Sequence, residues 1–391
     1  MTIPRKIMLC MTTAMCAAAF AQAPTPNSSA NINLSASNKP VAYVYVSRTV
    51  NGGTDNEIVG FAAAPNGKLA VIPGSPFQEN VKNLAVNGKY LFATTKSGTQ
   101  IESYRIEEGG ALRYATSTKV GQPDNPNNLG PLFLDHTGTT LYGIEFNGNG
   151  YGNNLYKSLN VDKPIGSLDV VGNSSSNSWL SNPAAFVGSN VYAYSASCLQ
   201  NMYWGIFGFK RSSNGLLAEI NINPNPPTPP DGYFYCPSQA ASSPTNHVAI
   251  SMQPINQSTF AADRAPQLAT YIADEQGNLT TASTLENMPE SLVVSVKSLS
   301  ISPSAALLAV GGTGGLQIFH FNAGKPITHY TGLLTKEEVD QFFWDNQNHL
   351  YAISSTAGKL FVFTVTPTSY EQAPGSPYTI EKPLSIIVQP E

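Results

Sequence analysis

A short unit repeats along this chain and leaves few folds open to it. In each copy an apolar triplet leads through a turn into a second apolar strand. Leu84-Ala-Val86 precedes Tyr90 to Thr94, Leu132-Phe-Leu134 precedes Leu141 to Ile144, and Ala185-Phe-Val187 precedes Val191 to Tyr194. Leu299-Ser-Ile301 precedes Leu307 to Val310, Phe342-Phe-Trp344 precedes Leu350 to Ile353, and a weaker copy runs from Gln239-Ala-Ala241 into His247 to Ile250. The triplets start 48, 53, 54, 60 and 43 residues apart. Runs such as Leu316 to Phe321 and Leu360 to Val365 add further strands, aromatic and β-branched as strands prefer. Helical periodicity is almost absent. Units of four short antiparallel strands, repeating at about 40–50 residues, are the blades of a propeller.

The two ends account for the closure of the ring. The chain enters at Val41 on a second strand, and Leu384 to Val388 supplies the missing inner strand from the other end. That pairing removes a free edge. It gives an all-β, seven-bladed propeller of four-stranded blades over residues 39–391, with blades beginning near Leu384 (joined to Val41), Leu84, Leu132, Ala185, Gln239, Leu299 and Phe342. Gly67-Lys-Leu69, Gly110-Ala-Leu112, Gly215-Leu-Leu217 and Gly277-Asn-Leu279 mark the turn into the outer strand, where glycine supplies positive φ. Gly74-Ser-Pro-Phe77 is echoed 301 residues later by Gly375-Ser-Pro-Tyr378, so both close equivalent blades.

The N-terminus predicts export. Arg5 and Lys6 precede an apolar run from Ile7 to Phe20, and Ala19-Phe-Ala21 and Ala21-Gln-Ala23 fit the small-x-small cleavage pattern. Residues 1–23 read as a signal peptide and residues 24–38 as a flexible linker. The run is too short to span a membrane, and no later segment is a candidate. The destination is the periplasm or the extracellular space. Without residues 1–23, the 21 basic residues fall to 19 against 25 acidic ones, a net of −6. This balance excludes a nucleic-acid partner, which needs a concentrated basic patch. Two cysteines survive processing, Cys198 and Cys236, and in an oxidising compartment they predict a disulfide. Their spacing suits no zinc site, so no metal is expected. No cofactor is expected either: with only three Trp, the chain lacks the recurring docking motif of quinone-dependent propellers.

The residues Val41 to Ser47, Ile58 to Phe61, Pro65 to Leu69 and Ile72 to Phe77 resemble the lactonase-type seven-bladed propellers, the 6-phosphogluconolactonase-like family with its Tyr-Val-Thr-Asn repeats. The resemblance spans nearly all of residues 40–391. It implies His, Arg and acidic residues around the central channel, with Pro-His-x-His entering the third blade and Pro-Arg-His entering the fourth. This chain instead reads Asn128-Leu-Gly-Pro-Leu-Phe133 and Asn182-Pro-Ala-Ala-Phe186. Of the expected set only an acid remains, Glu145, at a strand end.

The five histidines offer no replacement. His136 reads as a solvated turn, His247 as a turn neighbour, His320 and His329 as rim-strand residues, and His349 as a strand start. Asp263-Arg264 and Glu337-Glu338-Asp340 read as solvated loops. Extra chain length gathers on one face, in the loops Arg48 to Glu57, 146–154, Ser195 to Trp204 and Gln253 to Gln267, and in the connections 172–182 and Asn223 to Ser238. Arg48, Asn147, Asn149, Tyr151, Asn154, Trp179, Tyr203, Trp204 and Arg264 are the candidate ligand-binding residues there, with Phe234 and Tyr235 beside them. Planar aromatics and amides suit a carbohydrate or peptide, and the alternative is that these aromatics simply pack the loops. The sequence therefore favours an exported, monomeric binding or scaffold protein for a carbohydrate, peptide or protein ligand. The alternative is a hydrolase acting on sugar lactones, with Glu145 as its acid.

Overall fold

A computed structural model of the chain describes residues 39–121, 129–145, 154–161, 165–174, 180–199 and 203–391, with the backbone alone at 199, 203 and 204. The expected signal peptide and linker lie outside the described residues. Seven antiparallel sheets form the blades of a ring. Their inner strands are Pro383–Pro390, Val81–Val86, Leu129–Leu134, Ala185–Val187, Tyr233–Ser242, Ser295–Ile301 and Gln341–Trp344, for blades 1 to 7 in order. Blade 1 joins the two ends as expected: Ala42–Val50 pairs antiparallel with Pro383–Pro390, bringing Val44 opposite Val388. In blade 7 the outer position is made in two pieces, Tyr370–Gln372 and Tyr378–Thr379, both on the third strand Lys359–Val365.

Each blade is covered on both faces by its neighbours, so middle strands read as continuous apolar runs rather than alternating ones. Leu307, Leu308, Ala309 and Val310 are all fully buried. Among the described residues seven hydrophobic clusters follow, each drawing on two adjacent blades. One joins blades 7 and 1 through Tyr351, Ile353, Val44 and Ile386, and another joins blades 4 and 5 through Tyr194, Val248 and Tyr271. A second tie, invisible in the sequence, repeats between blades. Tyr45, Tyr142 and Tyr194 on second strands donate to the carbonyls of Gly110, Gly215 and Gly277 at 2.7, 2.8 and 2.8 Å. Those glycines are the expected turn glycines of the following blade.

The inner strand of blade 5 starts earlier than expected. It begins at Tyr233, so Phe234, Tyr235 and Cys236 belong to a strand and not to the connection. Tyr235 and Cys236 are buried, which favours the extended pairing. Pro237 does not end it, because an inner strand has one edge free toward the channel and needs no donor there. Three of the expected long loops are likewise partly hairpin: Arg48 pairs with Glu57, Leu199 with Tyr203, and the blade 5 strand runs on to Asn256.

Candidate functional site

The inner strands border the central channel, and their first residues lie on the same face as the ends of the second strands. A cavity of about 440 Å³ opens there across blades 4, 5 and 6. Its polar wall holds Ser181, Asn182, Ser238, Gln239, Gln253 and Ser295. The apolar wall is built from Phe234, Ile255, Phe260, Val294 and Val296, and Cys198 and Cys236 close one side. The two cysteines form the expected disulfide, with Cα atoms 5.2 Å apart, and it fastens the second strand of blade 4 to the inner strand of blade 5.

The polar wall is held rigid by its own bonds. Asn182 Nδ2 donates to Ala196 O at 2.9 Å and Ser238 O at 2.7 Å, while its Oδ1 accepts from Gln239 Nε2 at 2.9 Å. Gln253 Nε2 donates to the Arg264 and Pro254 carbonyls at 2.8 and 3.2 Å. Both glutamines thus have fixed amide nitrogens, and among the described residues their side-chain oxygens accept nothing. Ser238 Oγ donates to Ser251 Oγ at 3.2 Å, and Ser181 shares 3.2 Å with Ser197.

Most residues anticipated from sequence are used elsewhere or lie outside this cavity. Arg48 pairs with Glu57 at 2.5 Å and Glu57 also accepts from Gln78 at 2.6 Å, a closed network rather than a free cation. The Arg264 guanidinium lies 4.6 Å over the Tyr233 ring. Asn154 Nδ2 donates to Leu180 O at 2.7 Å, so this amide is engaged by the segment that enters blade 4. Asn147, Asn149, Tyr151 and Trp179 lie outside the described residues, and the backbone places Tyr203 and Trp204 opposite Leu199 and Cys198. Glu145 ends the second strand of blade 3 and meets Lys157 Nζ at 3.2 Å, an ion pair without a directed hydrogen bond. Lys157 also donates to Val120 O at 2.8 Å.

Sequence reasoning missed Gln239, Gln253 and Phe260 as a group. Gln239 and Gln253 flank strand segments 14 residues apart, and only the blade 5 register brings them together. Phe260 carried a faint signal, as a lone aromatic in the polar loop Gln257-Ser-Thr-Phe260.

Two charged clusters share this face. Lys297 Nζ lies 2.7 Å from Asp340 and contacts Glu338, and Ser355 donates to Asp340 from both its N–H and its hydroxyl at 2.8 and 2.6 Å. Glu338 and Asp340 are therefore partly buried partners of Lys297, while Glu337 stays exposed as its sequence suggests. Burial opposes charge on Lys297, but its bonds to Asp340 and Glu338 outweigh that and raise its pKa. Near blade 2, Tyr104 donates to Glu102. Burial raises the pKa of the adjacent Glu79 carboxyl; a bond from Tyr104 opposes the rise and the Glu102 charge adds to it. Among the described residues no group of three or more His, Cys, Asp or Glu could hold a metal, and no helix is long and apolar enough to cross a membrane.

No protein-family model matches the chain, and no curated protein sequence does. Solved structures do. A candidate 6-phosphogluconolactonase of Bacteroides uniformis superposes with a TM-score of 0.60 at 12% identity, covering 89% of this chain and 99% of its own. The periplasmic gluconolactonase of Pseudomonas aeruginosa gives 0.58 at 15% identity, covering 89% and 98%. A hypothetical selenium-binding protein of Sulfolobus tokodaii gives 0.60 at 10% identity, covering 89% and 94%, so the shape is shared across differently named proteins. In fold, the chain is similar to the 6-phosphogluconolactonase-like seven-bladed propellers.

Proposed function

We propose that the protein is an exported lactone hydrolase whose substrate is a sugar lactone held in the cavity of blades 4 to 6. The observation that carries this reading is the cavity itself: fixed amide and hydroxyl groups face an apolar wall at the channel mouth, on a ring shared with proteins named as lactonases. Small-molecule sites combine these features, within about 300–1,000 Å³. In the reaction, water adds to the lactone carbonyl, the bond to the ring oxygen breaks, and a water proton ends on the alcohol released. Glu145 is the acidic residue we assign to that proton from its strand-end position; it lies in blade 3 and is not one of the cavity's wall residues. Its carboxylate meets Lys157 Nζ at 3.2 Å. The basic n-region and apolar run of residues 1–23 support export, as does the likeness to a periplasmic protein.

A second reading, ligand binding without turnover, draws on a different observation. Among the described residues, the cavity wall holds no ionisable side chain apart from the bonded cysteines. Hydrolysis of glucono-1,5-lactone by the purified protein, followed against buffer alone, separates the two. Turnover above buffer that drops about 100-fold or more in Glu145→Gln supports the enzyme and its base. Turnover untouched by that change removes Glu145 from the mechanism. A rate equal to buffer leaves the binding reading.

A further inference from the structure

We infer that this cavity selects an uncharged, polyhydroxylated ring and discriminates against the same ring carrying a phosphate; the inference rests on a sugar lactone being the ligand class. Three observations converge on it.

The first is the nature of the polar wall. Its side chains are amides and hydroxyls: Ser181, Asn182, Ser238, Gln239, Gln253 and Ser295. Gln239 and Gln253 each spend an amide N–H on the protein, at 2.9 Å to Asn182 Oδ1 and 2.8 Å to Arg264 O, which orients the oxygen of each. Those two oxygens have no partner among the described residues. Gln253 is only 9% exposed, so little of its side chain faces solvent, and its oxygen is open to a donor from the cavity. Acceptors of this kind match ring hydroxyls, which donate. They repel a phosphate dianion, which offers only acceptors.

The second is what the wall lacks. Phosphate recognition uses guanidinium groups, ammonium groups or helix N-termini. Arg264 is the basic residue of the loop flanking the cavity, and its guanidinium is stacked 4.6 Å over Tyr233, while its backbone carbonyl is what Gln253 engages. The ammonium of Lys297, one residue beyond Val296, is held by Asp340 and Glu338. Neither is a wall residue.

The third is Phe260. It is 65% exposed, yet its backbone is held in the left-handed region at φ 54°. A bulky side chain rarely adopts that conformation, and such strain gathers at ligand clamps. The turn that holds it is well bonded: Phe260 N–H donates to Asn256 O at 2.8 Å, and Asn256 Oδ1 accepts from the N–H groups of Ser258 and Thr259. Phe234 meets the ring edge-on at 6.4 Å. The cavity therefore carries exposed aromatic surface as well as the amides, the two kinds of group that a ring with one apolar C–H face and a rim of hydroxyls requires.

The test uses glucono-1,5-lactam, a ring that water does not open, and its 6-phosphate, titrated calorimetrically into the purified protein. The expected result is binding of the lactam, with the 6-phosphate at least tenfold weaker. Gln239→Leu and Phe260→Ala should each weaken lactam binding about tenfold, the scale of one lost contact. Phe260 is exposed enough that its removal should leave the thermal midpoint unchanged, so a loss there is not a folding defect. Equal or tighter binding of the 6-phosphate overturns the inference. So does the absence of lactam binding, or lactam binding that neither substitution alters. Lactam binding with the stated preference but no lactone hydrolysis sinks the enzyme reading and leaves this inference standing. Hydrolysis of neutral and phosphorylated lactones at equal efficiency does the reverse.

Discussion

Removing the Cys198–Cys236 bridge should loosen the fold by a calculable amount. The bridge closes a loop of 38 residues that contains the Pro-rich segment 221–232. That segment has no strand of its own, so its order depends on its anchors. In the chain-entropy treatment a loop of this length contributes about 4 kcal/mol by restricting the unfolded chain. The folded ring has about 350 residues, each adding roughly 2.1 cal/mol/K to the unfolding entropy, so about 4 kcal/mol corresponds to a fall of about 5 °C in Tm. The double variant Cys198→Ala, Cys236→Ala is the cleanest perturbation, since a single change leaves a free thiol. Scanning calorimetry should show the fall, and reductant should produce it in the parent but not in the variant. Mass spectrometry of a non-reduced digest checks the premise. Both cysteines recovered alkylated without reduction, or a midpoint shifted by less than about 1 °C, would refute the reasoning.

Three further perturbations read other parts of the ring. Asp345 is fully buried and accepts from His349 Nδ1 at 2.7 Å, Tyr351 OH at 2.9 Å and the N–H groups of Gln347 and His349. Asp345→Ala should therefore cost about 3 kcal/mol or more in a urea titration, and a cost below about 1 kcal/mol would show that the network carries little. Gly110→Ala should cost about 2–3 kcal/mol, because φ is 85° there and a Cβ would come within 2.4 Å of the Tyr43 ring; Tyr45→Phe, which removes only the bond to Gly110 O, should cost about 1 kcal/mol by the same titration. The Lys297 cluster should impose pH limits: its bonds to Lys297 and Ser355 lower the Asp340 pKa against burial, so that contribution is present above about pH 4 and fades as pH falls through the lower folded value. The raised Lys297 fades instead as pH rises past about 10.4, so the stability gap between parent and Lys297→Met should be flat between those limits and shrink outside them. With both partners partly exposed, the Lys297–Asp340 pair should be worth less than about 1 kcal/mol.

The blades were legible because their burial leaves a local mark. A strand covered on both faces must be apolar at successive positions, as in Leu350 to Ile353, and a hairpin turn must place glycine where φ is positive, as at Gly215 and Gly277. The bridge was legible because only two cysteines remain after the first 23 residues. The cavity was not, for a physical reason. Its wall draws Ser181 and Asn182, Gln239 and Gln253, and Ser295 from three blades, and serines and glutamines signal nothing until the ring brings them together. Arg48 misled for the opposite reason: a cation in an apparent loop looks free, and only the hairpin register shows Glu57 directly across from it. Tyr235 misled because its segment follows the Pro-rich stretch and reads as part of that connection, whereas it pairs with Pro254 in the inner strand.

The inner-strand edge also explains how a site can be written into the ring without weakening it. The inner strands of blades 1, 2, 3, 5 and 6 all lose register near the loop-rich face, between Ser47 and Arg48 on the partner strand of blade 1, and across Val81–Leu84, Leu129–Leu132, Pro237–Gln239 and Val296–Ser298. A bulge there releases ladder bonds and re-aims side chains. Ser238, Gln239 and Val296, all in the cavity wall, sit at two of these bulges. Blade 4 reaches the same end differently. Its inner strand has only three residues, Ala185–Val187, and Asn182 stands in for the missing length by donating to Ala196 O of its own blade and Ser238 O of the next. The apolar clusters between blades draw mainly on the second and third strands, as Val248, Ile250, Ala269 and Tyr271 do, and share Val296 with the cavity wall. The cavity therefore spans paired strand ends together with two of the bulges that interrupt them. Side chains there can change to suit a ligand while the interblade packing and the tyrosine–glycine bonds keep the ring closed.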